Sequence, residues 1–341
     1  MKAPDFWWSR SRTLSALLLA PVSWIYGWVS GRRMHAKPLG ECAVPVVCVG
    51  NFVVGGTGKT PFSLMLAEIL KNQGFKPGFL LRGYGGSEIG PLVVDPATHS
   101  AAEVGDEALM LAKVGPTVIS SDRVYGGQLA EKQNIDVLLM DDGFQNPTLH
   151  KDLCFVLVDA ATGTGNGMCL PSGPLRAPLA KQIVSTDVLV VVGEGSRAEE
   201  AVKLASRKGI PIIYARLEAG YCEELRDVSL LAFAGIGRPE KFFDTLRALE
   251  LDVAETRSFA DHHAFTEAEA QSLLKDAESR HLQLVTTEKD MVRIETAQPE
   301  IFRWLEVRSE VLPVQMRVPD ALRLSHIVQE RVKKRRFQLG I

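Results

Sequence analysis

The sequence predicts an α/β protein: a parallel sheet with helices on both faces, a smaller C-terminal α/β unit, and an apolar N-terminal helix. Three observations predict it. Short, wholly apolar runs such as Val44–Val49 (VPVVCV) and Val188–Val192 (VLVVV) have the character of strands buried on both faces. Segments of helical spacing alternate with them, the pattern of strand–helix–strand units. A stretch of nineteen uncharged residues, Thr13–Gly31, precedes the first strand. The 341 residues suggest two domains, and 46% hydrophobic with 23% charged residues excludes wholesale disorder.

The elements follow in order. The uncharged stretch would reach about 28 Å as a helix, close to one hydrocarbon core. Trp24 and Trp28 lie toward one end of it, and Arg10, Arg12, Arg32 and Arg33 flank it. It reads as a spanning helix, an amphipathic helix in the membrane interface, or a buried helix of a soluble domain. No small-x-small cleavage site follows, so it is kept in the mature chain. Pro61–Leu70 reads as a helix with proline in its first turn. Phe79–Leu81, Thr117–Ser120, Ile135–Met140, Phe155–Val158 and Ile210–Tyr214 read as strands. Glu107–Lys113, Arg123–Lys132 and Ala201–Lys208 read as helices. A second unit opens near Leu230, with strands Leu230–Ala234 and Leu282–Val285 and helices Glu240–Leu249 and Glu267–Glu278. The expected organisation is 1–38 (membrane-associated helix), 39–225 (main domain) and 226–341 (smaller α/β domain, its last helix free to pack back on the main domain). The basic run Arg331–Arg336 (RVKKRR) reads as a solvated terminus after a helix, or as a contact with anionic lipid head groups.

Charge and cysteines set bounds. Lys plus Arg is 39 and Asp plus Glu is 41, a net charge of −2. No nucleic-acid partner is expected from bulk charge, and no protein partner is indicated. Five cysteines with no C-x-x-C pair fit neither a disulfide framework nor a zinc ribbon.

The strongest motif is Gly50–Thr60, GNFVVGGTGKT, between an apolar strand and a helix. That is the setting of a phosphate-binding loop. Gly55, Gly56, Thr57 and Gly58 would let backbone N–H groups approach phosphate. Lys59 would reach the β- and γ-phosphates of ATP, and Thr60 would ligate Mg²⁺. The first glycine of the usual spacing is replaced by Val53. The loop is also similar to that of the deviant class of P-loop ATPases, although those carry a lysine where Val54 stands. Asp141 and Asp142 end a strand, where a carboxylate can hold Mg²⁺; spacing does not say which of the two does. Asp106 reads as a helix N-cap, with Glu107 in the first turn. Arg82, in RGYGG, is placed to touch phosphate or solvent. Asp261-His262-His263 lies in a loop before a helix. Thr287-Glu288-Lys289-Asp290 is not a guanine-reading motif, because its lysine is one place late.

In this order the motifs resemble one family, the tetraacyldisaccharide 4′-kinases of lipid A synthesis. The resemblance runs through WIYG at 24–27, GNFVVGGTGKTP at 50–61, RGYGG at 82–86, VGDE at 104–107 and DDGFQ at 141–145. It continues through GNG at 165–167, GPLR at 173–176, GIGRP at 235–239, DHH at 261–263 and TTEKD at 286–290. It implies a P-loop kinase that uses MgATP to phosphorylate the 4′-hydroxyl of an acylated glucosamine disaccharide 1-phosphate. It implies a cleft between two domains at the membrane face; because the loop needs ATP, these domains are expected on the cytoplasmic side of the inner membrane. It makes Asp106 the catalytic aspartate, His262 its partner, Asp141 the metal-binding carboxylate with Asp142 beside it, and Arg176 an active-site arginine. Two residues depart from the family pattern: Ala177 stands where glutamate is usual, and Asn146 where histidine is. The competing reading is a membrane-associated switch ATPase with water as its only phosphoryl acceptor. A non-catalytic descendant is a third.

Overall fold

The apolar runs become the centre of a nine-stranded sheet in the computed structural model, which describes residues 3–220 and 222–340. Residues 1, 2, 221 and 341, which fall within the three expected units, lie outside the described residues. The strands are β1 (Val46–Asn51), β2 (Pro77–Leu81), β3 (Leu92–Val93), β4 (Thr117–Ile119), β5 (Val137–Asp141), β6 (Leu153–Asp159), β7 (Val188–Val192) and β8 (Ile212–Ala219). They are followed by β9 (Leu230–Ala234), β10 (Val253–Ser258), β11 (Gln283–Thr287), β12 (Ser309–Leu312) and β13 (Val314–Arg317). The first sheet has the order β13-β8-β7-β6-β1-β5-β2-β4-β3, and the second β10-β9-β11-β12. In the first sheet only the edge strands β3 and β13 pair antiparallel.

Side chains alternate across the first sheet with period two, which explains why its strands are apolar throughout. Val47, Val49, Leu139, Phe155, Leu157 and Val190 face one way, onto Phe62, Leu66 and Leu70 of the Lys59–Asn72 helix. Each of those three, once buried, stabilises the fold by about 1.5–3 kcal/mol. Val46, Cys48, Leu138, Met140, Val156 and Leu189 face the other way, onto Ala130, Ile183, Ala201 and Ala205 of three helices. The second sheet repeats the arrangement. Leu231 and Phe233 pack on Leu273 and Leu305, while Leu230, Ala232 and Ala234 pack on Phe242, Phe243 and Leu246.

The chain does not end in the second unit. After β12 it returns to the first sheet as β13, and the Ala321–Leu339 helix lays Leu324, Val328 and Val332 into the same core as Leu66 and Leu70. Here one expectation is corrected. The basic run 331–336 is not a tail after a helix; it lies inside this helix. Arg331 pairs with Asp187 (3.4 Å), Arg335 with Glu41 (2.7 Å) and Asp152 (3.0 Å), and Arg336 with Asp136 (3.2 Å). These three arginines tie the last helix to the first unit, while Lys333 and Lys334 of the run stay exposed.

The uncharged stretch forms one helix, Leu14–Met34, capped by the Thr13 side chain. Its buried positions are Ala16, Ala20, Ser23, Gly27, Gly31 and Met34, a stripe of mostly small residues running its whole length. Ser23 donates to the Cys169 carbonyl (2.7 Å). A Cβ at Gly27 would come within 3.2 Å of Cys169 Sγ, and one at Gly31 within 3.3 Å of Pro178. The opposite face is bare, with Leu14, Leu18, Trp24, Ile25 and Trp28 all exposed.

Candidate active site

Connections run to one side of the sheet after β1 and to the other after β5, so the C-terminal ends of β1 and β5 border the crevice where α/β proteins bind ligands. The loop after β1 fills this position. Gly55 (φ +117°) and Gly58 (φ +82°) adopt conformations that L side chains rarely take, and nothing lies within 4 Å of where a Cβ on Gly55 or Gly56 would stand. The loop is therefore an open cradle at the start of the Lys59–Asn72 helix, whose N-terminal N–H groups and dipole favour an anion. Its outer wall is fixed from behind. Asn51 Nδ2 donates to Gly55 O (3.0 Å), Gln145 Nε2 to Asn51 O (2.7 Å), and Gln182 Nε2 to Phe52 O (3.1 Å).

The two aspartates after β5 have different surroundings. Asp141 is buried, and its Oδ2 accepts from Thr60 Oγ1 at 3.1 Å. Its Oδ1 is buried with no hydrogen-bond partner among the described residues. Burial pushes its carboxyl up to about 6, with Asp142 and Glu107 adding to the rise and Lys59 opposing it. An orphaned, desolvated carboxylate oxygen beside a threonine hydroxyl is a donor set suited to a hard divalent cation, so the residues fit Mg²⁺. Asp142 turns elsewhere. It takes a left-handed backbone (φ 52°) and receives a bidentate pair from Arg176 (2.9 and 3.1 Å), with Lys59 Nζ at 3.6 Å. Burial would raise its carboxyl, but Lys59 and Arg176 outweigh that and hold it low. Arg176 is itself oriented by a bond from Nε to Val53 O (3.1 Å).

Asp106 opens the Asp106–Ala112 helix at the same edge. The N-cap is Gly105, not Asp106, because Gly105 takes a φ of +87° there. Asp106 is thereby freed from capping and is 2% exposed. Its Oδ1 lies 3.2 Å from His262 Nδ1 and accepts from Glu107 N (3.1 Å), and its Oδ2 accepts from Arg293. Burial would push this carboxyl up, but the His262 bond and the charges of Lys289 and Arg293 overcome it and hold it below the ordinary carboxylate range. The hydrogen bond to Asp106 in turn raises His262, against the effect of burial. His262 has a left-handed backbone (φ 56°), a strained choice for a histidine that aims its ring back across the gap between the two sheets. Tyr84 of RGYGG meets that ring edge-on at 5.5 Å. His263 does not join the site; it bonds Glu269 (2.9 Å) and stacks on Phe259.

The remaining expected residues are placed as follows. Thr57 is buried in the loop, and its hydroxyl has no partner among the described residues. Arg82 is exposed at the rim, without a hydrogen bond or ion pair among the described residues. Ala177 is buried behind Arg176, and its carbonyl accepts from Gln182 (2.6 Å). Asn146 uses Oδ1 to hold Thr148 N (2.8 Å) and Oγ1 (2.7 Å). Four cations escaped the sequence reading. Arg123 is buried, bonds Ser120 O and adds positive charge near Asp142 and Asp141. Arg238 donates to Gly56 O (3.2 Å) and pairs with Asp159 (3.0 Å), so a second-unit residue touches the phosphate loop. Lys289 pairs with Glu107 (2.6 Å), and Arg293 with Asp106. Only the GIGRP and TTEKD motifs hinted at Arg238 and Lys289, and spacing gave neither a partner.

Comparison with known proteins agrees with this geometry. The family described as Tetraacyldisaccharide-1-P 4′-kinase matches residues 15–333. A tetraacyldisaccharide 4′-kinase from Methylobacterium nodulans is 48% identical over 301 residues, covering 88% of this chain and 89% of that one. One from Bradyrhizobium diazoefficiens is 42% identical over 340 residues, 98% of each chain. Among solved structures, LpxK from Aquifex aeolicus in complex with ATP superposes with a TM-score of 0.71 at 28% identity, covering 93% of this chain and 99% of that one. With the loop, the paired aspartates and the Asp106–His262 contact in place, the chain belongs to the tetraacyldisaccharide 4′-kinase family.

Proposed function

We propose that this protein transfers the γ-phosphoryl group of ATP to the 4′-hydroxyl of a tetraacylated glucosamine disaccharide 1-phosphate, with Asp106 as the base. The observation that carries this reading is the convergence of three distant segments at one sheet edge: the open glycine loop, the Asp141–Asp142 pair, and Asp106 held by His262. Phosphoryl transfer asks for positioning and charge neutralisation more than covalent chemistry. Loop N–H groups and Lys59 bind the ATP phosphates. Thr60 and Asp141 would hold Mg²⁺, which when bound offsets phosphate charge. Asp142 keeps Arg176 aimed along the loop, and Arg82 at the rim is free to meet a phosphate of either substrate. Asp106 takes the proton from the sugar hydroxyl while His262 orients it. A switch ATPase would use the loop, Lys59, Thr60 and Asp141 as well, but it leaves the Asp106–His262 pair without a task.

The decisive experiment incubates the full-length protein with the disaccharide lipid and MgATP and follows the lipid by mass spectrometry. One added phosphate on the non-reducing sugar is expected. ATP hydrolysis with no phosphorylated lipid would favour the switch ATPase.

The Leu14–Met34 helix gives the substrate's location a physical reason. Its small-residue stripe rests on the first unit from Ala16 to Met34, so crossing a bilayer would strip that face from its partner. The exposed Leu18, Trp24 and Ile25 instead face a membrane, with the catalytic units on the cytoplasmic side and the acyl chains left in the lipid. Burying each such side chain is worth about 1.5–3 kcal/mol. The triple variant Leu18→Glu, Trp24→Glu, Ile25→Glu is therefore expected to lose vesicle binding in flotation while keeping its melting temperature. Unchanged flotation would remove the helix from membrane docking.

A further inference from the structure

The Asp106 carboxylate has little acceptor capacity left. A carboxylate offers about four lone-pair positions, two per oxygen. Oδ1 is occupied by His262 Nδ1 (3.2 Å) and Glu107 N (3.1 Å). Among the described residues, Oδ2 accepts from Arg293 alone. One position remains, on Oδ2, and it is set by where the guanidinium sits.

That guanidinium has almost no freedom. The Arg293 side chain is 8% exposed, and its Nη1 donates to Asp290 Oδ1 (2.7 Å) and Gly235 O (2.8 Å). Asp290 is fully buried and is pinned in turn by Gly235 N (3.0 Å) and Thr287 Oγ1 (2.6 Å). The mount is thus built from the ends of β9 and β11 in the second sheet. One helical turn earlier on the same face, Lys289 holds Glu107, the neighbour of Asp106.

We infer that Arg293 is a positioning residue for the base: it occupies one lone pair of Asp106 Oδ2 and leaves the other for the acceptor's proton, and it does so only while the second unit is seated on the Asp106–Ala112 helix. The inference rests on the reading of Asp106 as the base. The base is then assembled from two units, its carboxylate from one and its mount from the other. ATP bound to an open molecule would meet an unaimed carboxylate, which limits wasteful transfer to water. The charged groups around Asp106 are Arg293, Lys289 and Asp290 from the Glu288–Glu295 helix and His262 from the turn before the Glu267–Ser279 helix, with Asp261 and Glu107 beside His262.

The test uses the full-length enzyme with MgATP and lipid substrate, comparing Arg293→Gln, Arg293→Lys, Asp106→Asn and the Asp106→Asn/Arg293→Gln double variant. Misaiming a reacting group by about 1 Å can cost about 10²-fold. Arg293→Gln is expected to lower kcat about 10- to 100-fold with KM for MgATP unchanged. Loss of the neighbouring cation lets Asp106 protonate at higher pH, so the acid limb of the kcat profile moves upward. Arg293→Lys keeps the charge, leaves that limb in place and loses rate only through the missing fork. The double variant is expected to be no slower than Asp106→Asn. Equal loss at every pH together with additive loss in the double variant would overturn the inference, as would a change confined to KM. Should Arg293→Gln fail to melt cooperatively, Arg293→Lys decides, measured with and without Asp106→Asn. Near-normal kcat in Asp106→Asn itself would instead overturn the reading of Asp106 as the base.

Discussion

Asp106→Asn is expected to bind MgATP as the unaltered protein does and to turn over about 10²- to 10⁴-fold more slowly, the usual cost of removing a general base. The substitution keeps the shape of the side chain and its bond from Glu107 N, and removes the negative charge. His262 then loses the group that raises it and titrates lower. Arg293 keeps Asp290 but loses its other carboxylate, and breaking such a buried pair costs about 3–5 kcal/mol. The pH dependence of stability has a definite sign. Because the folded state holds the Asp106 carboxyl below its unfolded value of about 3.9, the ion pair contributes fully above that pH and is lost as the pH falls through the folded value. The asparagine variant should therefore lose stability at neutral pH and lose less than the parent on further acidification. Nucleotide binding by calorimetry, single-turnover rates and thermal melts against pH check the three parts. Near-normal turnover would remove Asp106 from the chemistry.

Lys59→Ala is the second large effect, and it acts on binding as well as rate. Lys59 is the cation at the helix end where the open glycine loop would hold phosphate, and it also offsets Asp142 at 3.6 Å. A preorganised donor aimed at developing charge is commonly worth about 10²–10³ in rate. We expect kcat/KM for MgATP to fall by about that factor, with weaker binding of a fluorescent ATP analogue. Lys59→Arg should not restore it, because a broad planar guanidinium does not place its charge where the compact ammonium does. Full recovery with arginine would mean that the loop needs only a positive charge nearby.

Much of this was legible beforehand, for a physical reason. Strands buried on both faces must be apolar throughout, so β1, β5, β6, β7 and β9 stood out as uninterrupted runs. β10 (VAETRS) did not, because it is an edge strand that buries none of its residues fully and carries Glu255 and Arg257 on its half-buried face, with Ala254, Thr256 and Ser258 exposed. β12 and β13 are four residues each, too short to show a period. The basic run in the last helix was misread because its charges drew attention from Leu324, Val328 and Val332, whose four-residue spacing carries the helix through it. In the site, the loop and the aspartates announce themselves because each is a local pattern at a strand end. Arg293 lies 187 residues from Asp106 and has no local signature; only the packing of the Glu288–Glu295 helix on the Asp106–Ala112 helix makes them neighbours.

The route of the chain between the two sheets has a mechanical result. The outgoing chain leaves β8 at Ala219 and the returning chain enters β13 at Val314, and these strands are paired, with Gly220 N bonded to Pro313 O (2.7 Å) at the crossing. The second sheet thus hangs from a two-ply ribbon instead of a single thread. Two backbones bonded side by side must bend together or unpair before the second sheet can move on the first. The groups that meet Asp106 from the second unit, His262 and Arg293, are thus carried on a double connection to the sheet that bears the loop.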